Sequence, residues 1–282
     1  MPQRRIKIIC GDCIQEMGKL KDDSARLVVA DPPYFNVLLG EGWDTQWQSE
    51  DEYLTWTMQW VEAAMRVLVP GGLLYCFGQL GKREHVMLHL MSQAARQWQF
   101  HDLIIWDRVV GYDRRDSFTP AYEMILVLRK EGAVAFNKDA VREPYDDATV
   151  SVYMRDKRYK DRAARREHLQ KGKYATNVWR IPSLKGASKE KCGHPSQKPR
   201  ALIERIVQSS SAPGGLILDP FLGSGTTAIV ARDLDRRCIG IEIEKDYVAL
   251  AKKRLKTMRI VDAGVKASPG TNDDLGSVYK NI

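Results

Sequence analysis

The sequence predicts an α/β fold: a doubly wound, mostly parallel seven-stranded sheet that carries a basic insertion. Three observations predict it. Seven short apolar runs are spread along the 282 residues, and several lack the polar alternation of half-exposed strands. That is the signature of strands covered by helices on both faces. Helical periodicity separates many of the runs, which is the alternation that builds βα units. Glycine and proline punctuate the joins.

The first two runs cover 6–9 and 27–30. A long helical pattern follows over 52–68, with Trp56, Trp60, Val61, Ala64 and Val67 as its apolar positions. Pro70-Gly71-Gly72 marks a turn into the third run, 73–77. A helix over 83–96 leads to the run 102–106. Between it and the run 123–128 lie Gly111, Asp113, Asp116 and Pro120 without helical period. Two strands joined without a crossover helix are expected to be antiparallel neighbours. Helices over 201–209, 226–234 and 247–255 surround the last two runs, 216–218 and 238–241.

The interval 137–191 breaks this rhythm and is expected to stand outside the sheet. In its basic core, 155–173, nine basic residues (Arg155, Lys157, Arg158, Lys160, Arg162, Arg165, Arg166, Lys171 and Lys173) face three acidic ones (Asp156, Asp161 and Glu167), with Tyr153, Tyr159 and Tyr174 interleaved along the segment. The segment from 261 onward is rich in Gly, Ser, Asp and Asn and is expected to be mobile.

The composition narrows the function. A formal charge of +8 favours a polyanionic partner. Apolar runs fall short of the roughly 18–20 residues a membrane-spanning helix needs, and the amino-terminal residues lack a secretory apolar stretch. A cytoplasmic protein with no membrane partner is expected. Five cysteines, at 10, 13, 76, 192 and 238, do not form a disulfide framework. Cys10 and Cys13 have CxxC spacing, but a zinc site would need a second clear pair of ligands, so no metal is expected.

Two segments carry chemistry. In Asp219-Pro220-Phe221-Leu222-Gly223-Ser224-Gly225-Thr226, a strand ends, a glycine turn follows and a helix begins. Glycines let a ligand approach the backbone, and a helix start offers free N–H groups. Glu242 ends the next strand, 23 residues after Asp219, where a carboxylate can accept hydrogen bonds from ribose hydroxyls. The second segment, Asp31-Pro32-Pro33-Tyr34, also ends a strand. In an open parallel sheet both segments face one crevice. An aromatic amino group is a poor nucleophile because its lone pair is delocalised. A carboxylate and a backbone carbonyl that each accept one of its N–H bonds draw the nitrogen toward tetrahedral geometry. Prolines hold that backbone rigid, and a tyrosine can stack on the base.

With Asp31-Pro32-Pro33-Tyr34 early, Phe221-Leu222-Gly223-Ser224-Gly225 late and a basic insertion between, the chain resembles the β group of amino-methylating DNA methyltransferases, a permuted form of the S-adenosylmethionine-dependent fold. Gly11-Asp12-Cys13 and His194-Pro195-Ser196-Gln197-Lys198-Pro199 extend the resemblance to about residues 6–258. It implies a catalytic half over 1–136, a target-recognition insertion over 137–191 and a cofactor-binding half over 192–260. It implies catalysis by Asp31, Pro32, Pro33 and Tyr34. S-adenosylmethionine would be surrounded by Asp219, Phe221, Gly223, Ser224, Gly225 and Thr226. Glu242 would hold its ribose, Asp12 its adenine amino group, and Ser196 and Lys198 would lie by its carboxylate end. Arg155, Arg158, Arg162, Arg165 and Arg166 would contact double-stranded DNA. Phe35 stands where many relatives have asparagine, with Asn36 next, and 39–47 is expected to form a flap whose tryptophans anchor it.

The implied reaction is site-specific methylation of adenine N6 on a flipped base. Adenine is favoured because relatives that methylate cytosine N4 more often carry serine where Asp31 stands. Cytosine N4 methylation, RNA adenine methylation and a catalytically silent DNA-binding protein remain as alternatives, and a homodimer is left open.

Overall fold

The computed structural model describes residues 5–38, 40–80, 85–109, 111, 118–158 and 160–257. Among them the strands are β1 (Ile6–Cys10), β2 (Ala25–Ala30), β3 (Leu68–Gly78), β4 (Gln99–Asp107), β5 (Tyr122–Arg129), β6 (Val178–Arg180), β7 (Leu216–Asp219) and β8 (Arg237–Glu242). They form one eight-stranded sheet in the order β1-β8-β7-β2-β3-β5-β4-β6. β5 pairs antiparallel with β3 and β4, and the other pairs are parallel. The antiparallel pairing of the runs at 102–106 and 123–128 is therefore present.

The helices are α1 (Cys13–Gly18), α2 (Glu50–Val67), α3 (Val86–Gln97), α4 (Asp147–Arg155), α5 (Arg162–Lys171), α6 (Arg200–Ser210), α7 (Thr226–Asp233) and α8 (Lys245–Thr257). Local chemistry sets their ends. The Ser49 hydroxyl accepts from the Glu52 N–H at 3.2 Å to open α2. Glu50, Asp51 and Glu52 fill its first turn and Arg66 its last, matching the helix dipole.

Two apolar layers flank the sheet. On one face Met17 of α1, Trp60 and Ala64 of α2 and Leu90 of α3 pack against Val28, Leu74 and Leu126. On the other, Leu202 and Ile206 of α6, Val230 of α7 and Ala251 of α8 pack against Leu27, Tyr75 and Val127. Alternate strand residues thus feed opposite layers, so the strands read as continuous apolar runs.

The structure departs from the sequence expectation in three places. The sheet has eight strands where seven are expected. β6 is three residues long, too short for any periodicity to register, and it is defined by its parallel pairing with β4. It also brings part of the interval 137–191 into the sheet. Pro70-Gly71-Gly72 lies inside β3, where the register jumps from Ala25↔Leu68 to Leu27↔Leu73. Gly71 has φ +71, and a Cβ there would lie 1.9 Å from the Ala133 carbonyl oxygen, so only glycine fits that bulge. The helices α1, α4 and α5 are additional elements.

The described residues divide into two compact units, 5–141 with 176–257, and 142–175. In the second, α4 and α5 are framed by an antiparallel bridge between Glu143 and Lys173. Cations cover its tyrosines: Arg142 lies 3.8 Å over the Tyr174 ring and Arg165 4.8 Å over Tyr153. The expected mobile segment from 261 onward, Tyr159, Asp113 and Asp116 lie outside the described residues. Among the described residues no helix is long and apolar enough to cross a membrane.

Candidate active site

β2 and β7 lie side by side, with Val28 opposite Leu218. From this pair the chain winds outward both ways, to β8 and β1 on one side and β3 on the other. This is a topological switch point, where two loops part and leave a crevice. Asp31-Pro32-Pro33-Tyr34 leaves the end of β2 and the glycine turn leaves the end of β7. The neighbouring ends of β1 and β8 bring Asp12 beside Glu242, with the Gly11 N–H donating to the Glu242 carbonyl at 3.0 Å. The crevice encloses ≈ 1190 Å³, its open mouth included. Asp31, Pro32, Pro33 and Tyr34 line one part of it. Asp12, Ser196, Lys198, Asp219, Phe221, Gly223, Ser224, Thr226 and Glu242 line the rest.

The Asp31-Pro32-Pro33-Tyr34 turn is held from α2 and from the segment around Asp44. The Tyr53 hydroxyl donates to the Pro33 carbonyl at 2.7 Å. The Asp44 carboxylate accepts from the Tyr34 N–H at 2.6 Å. Phe35 is buried and packs 5.3 Å from the Tyr53 ring, which takes it out of the crevice. Of the flap tryptophans, Trp47 is an anchor against Tyr53 and Trp56, whereas Trp43 lines the crevice.

Asp31 sits in a buried ionic cluster. The Lys198 ammonium lies 2.7 and 2.8 Å from its two oxygens and 3.5 Å from Glu123. Burial opposes the lysine's charge, but the two carboxylates outweigh it and raise its pKa. The Tyr34 hydroxyl has one proton to share between two acceptors, Asp31 at 2.7 Å and Glu123 at 3.1 Å. Burial first, and these two negative charges next, push the tyrosine pKa well up, so it stays a donor. Gln79 and Arg108 complete the bonding of Glu123, at 3.2 and 3.3 Å. Lys198, placed by resemblance at the cofactor's carboxylate end, is thus bound to Asp31. The reason is electrostatic: an ammonium buried beside two carboxylates pairs with them.

The cofactor side is built from backbone and carboxylates. Glu242 is 9% exposed and accepts from the N–H groups of Gly223 at 2.7 Å and Glu244 at 2.8 Å. Burial nevertheless raises its pKa. Asp219 accepts from the Phe221 N–H at 3.0 Å, and burial pushes it up to about 7. Gly223 has φ +50, and a Cβ there would stand 3.0 Å from His194 Nε2. Phe221 packs edge-on against Trp60 at 5.1 Å. Ser224 is buried, with its carbonyl held by Arg254 at 2.6 Å. Thr226 opens α7. Asp12 caps α1 through one oxygen, accepting from the Gln15 N–H at 2.9 Å. The Ser196 N–H approaches His194 Nδ1 at 3.3 Å. Gly225 does not line the crevice. It precedes α7 with φ +84 and packs on Ala251 of α8, where a Cβ would lie 2.9 Å from the alanine's.

The five arginines expected to meet DNA belong to the second unit. Arg155, Arg162 and Arg166 are exposed. Arg158 is ion-paired with Asp156 at 2.7 Å, and Arg165 lies over Tyr153. Sequence reasoning missed Asp44, Glu123 and Tyr53. Glu123 carried the one available signal, a carboxylate opening an apolar strand.

A strand-end aspartate in a proline turn, facing a glycine turn and a second carboxylate at the switch point, is the layout of an amino-group methyltransferase. The chain belongs to the DNA methylase family of N6 and N4 methyltransferases, whose model matches residues 25–253. It is 31% identical over 250 residues to the type II methyltransferase M.HpaI of Haemophilus parainfluenzae, covering 88% of this chain and 74% of that one. It is 32% identical over 255 residues to the type II methyltransferase M1.MboII of Moraxella bovis, covering 88% and 96%. The M1.HpyAVI–SAM complex has the same fold at a TM-score of 0.59, with 24% identity over 89% of this chain and 98% of that one.

Proposed function

We propose that this chain transfers a methyl group from S-adenosylmethionine to N6 of an adenine flipped out of double-stranded DNA. The observation that carries the reading is the adjacency of Asp31-Pro32-Pro33-Tyr34 and the glycine turn at the ends of neighbouring strands, in a chain of the DNA methylase family.

The residues present fit the cofactor. Gly223 leaves open the space that a Cβ would contest with His194, Asp12 keeps one carboxylate oxygen beyond its cap, and Glu242 stands at a strand end with acceptor capacity remaining. Glu242 would take the ribose, Asp12 the adenine amino group, and Asp219, Phe221, Gly223, Ser224 and Thr226 the rest, with Ser196 near the carboxylate end. When bound, S-adenosylmethionine supplies an electrophilic methyl group.

On the substrate side, the base leaves the duplex because its amino group is otherwise paired and stacked. Asp31 accepts one N–H of the amine and the Pro32 carbonyl the other, while Tyr34 offers its ring to the base. Lys198 pairs with both Asp31 oxygens, so Asp31 orients the N–H and need not remove the proton before attack. As the nitrogen takes the methyl group the methyl–sulfur bond breaks, and the proton of the cationic nitrogen then passes to water. Positioning then supplies most of the rate. Arg155, Arg158, Arg162, Arg165 and Arg166 would meet phosphates. The test is Asp31→Ala: turnover on DNA is lost while cofactor affinity stays within about threefold. A folded variant with normal turnover overturns the mechanism.

A further inference from the structure

Asp44 lies outside both motif segments, yet its carboxylate, in the crevice wall, accepts three backbone N–H bonds. It is 1% exposed. One oxygen accepts from the Tyr34 N–H at 2.6 Å, and the other accepts from Val37 at 2.7 Å and Leu38 at 2.6 Å. The Asp44 carbonyl also accepts from the Asn36 N–H at 2.9 Å. The segment so gripped is the continuation of Asp31-Pro32-Pro33-Tyr34.

That segment needs a grip. Phe35 and Asn36 both have left-handed backbones, φ +60 and +57, and neither is glycine. Such conformations are sparsely populated and persist only where the surroundings over-determine them. Three convergent N–H bonds to a buried carboxylate supply that constraint, since charge-assisted bonds are about twice as strong as neutral ones. The left-handed pair turns Phe35 into the core against Tyr53 and leaves Tyr34 on Asp31.

Asp44 also belongs to the flap. It closes the 3-10 turn Gly42–Asp44, and the preceding Trp43 lines the crevice and stacks 6.5 Å from His194, which itself packs 4.3 Å from Tyr247. One residue therefore ties the flap to the catalytic turn.

We infer that Asp44 is the positioning residue of the catalytic turn: it acts through Tyr34 and the left-handed pair to fix Asp31-Pro32-Pro33-Tyr34 in its working conformation. The inference rests on the methyltransferase reading above.

Asn at this position cannot satisfy the three N–H groups, because whichever way its amide lies, one set of donors meets an NH₂ group. Asp44→Asn is expected to lower kcat about 100-fold while leaving S-adenosylmethionine affinity within about threefold. Hydrogen exchange in residues 34–38 should quicken at least tenfold, with exchange in the β-sheet unchanged. Asn36→Gly removes left-handed strain, so adding it to Asp44→Asn should restore kcat about tenfold. The wild-type enzyme measured alongside separates the two readings. If the wild type transfers no methyl group to DNA, the proposed function fails, and the exchange experiment alone decides the role of Asp44. Asp44→Asn with wild-type kcat, unchanged exchange at 34–38, or parallel loss of cofactor binding and sheet protection would overturn the inference.

Discussion

The Lys198 ammonium lies 2.7 Å from the Asp31 carboxylate across 167 residues of sequence, joining the turn after β2 to the segment before α6. Both groups are largely buried, so the pair exceeds the near-zero value of surface ion pairs, and removing one member leaves the other uncompensated. Lys198→Met should lower kcat at least 100-fold with cofactor affinity within about threefold. Calorimetry beside single-turnover kinetics makes the distinction. Lost cofactor affinity with normal turnover at saturation would return Lys198 to the cofactor's carboxylate end.

Glu242→Ala should weaken S-adenosylmethionine binding severalfold or more. A hydrogen bond to a charged group contributes about 1.5–3 kcal/mol. The carboxylate also organises the Gly223 and Glu244 N–H groups, so Glu242→Gln, which keeps one acceptor, should be milder. Titration calorimetry on both variants checks this, and unchanged affinity in Glu242→Ala removes the residue from the ribose site.

His194 gives the protein an acid limb. Burial first, and Lys198 second, lower its pKa from 6.5 to about 4. The imidazole is neutral when folded, in keeping with Nδ1 facing the Ser196 N–H. Between those two values the unfolded chain binds the extra proton, so stability rises with pH and is lost as pH falls. Between those two pKa values the effect is on the order of 3 kcal/mol. Urea unfolding at pH 7 and pH 4.5 should show the wild type losing more stability than His194→Gln. Parallel losses would contradict it.

Alanine at Arg162, Arg165 and Arg166 together should weaken binding to all DNA sequences alike and flatten its salt dependence. Each phosphate contact contributes a slope of about 0.9 in log K against log salt. Cofactor affinity should stay unchanged. Filter binding across a salt series is the measurement, and a wild-type slope would place the DNA-binding surface on other residues.

The sheet was legible because its strands are buried on both faces and read as apolar runs of sufficient length. β6 was not, since three residues carry no period and its place comes from pairing with β4. The crevice was legible from its two strand-end motifs, because chain direction alone sends parallel strands' ends to one edge. The bonding inside it was not. Asp12, read as a partner of the cofactor's adenine, also caps a helix, and Lys198, read as lying by the cofactor's carboxylate end, is 9% exposed beside Asp31. Asp44 and Glu123 act through contacts 10 and 89 residues away from Tyr34, which no local pattern reports.

The central claim is tested most directly by mass spectrometry of nucleosides. Duplex DNA is incubated with the protein and S-adenosylmethionine carrying a heavy methyl group, then digested, with RNA and the Asp31→Ala variant in parallel. Heavy N6-methyladenine is expected from DNA alone, and none with the variant. Heavy N4-methylcytosine, heavy methyladenine from RNA only, or no methylated base at all would contradict it.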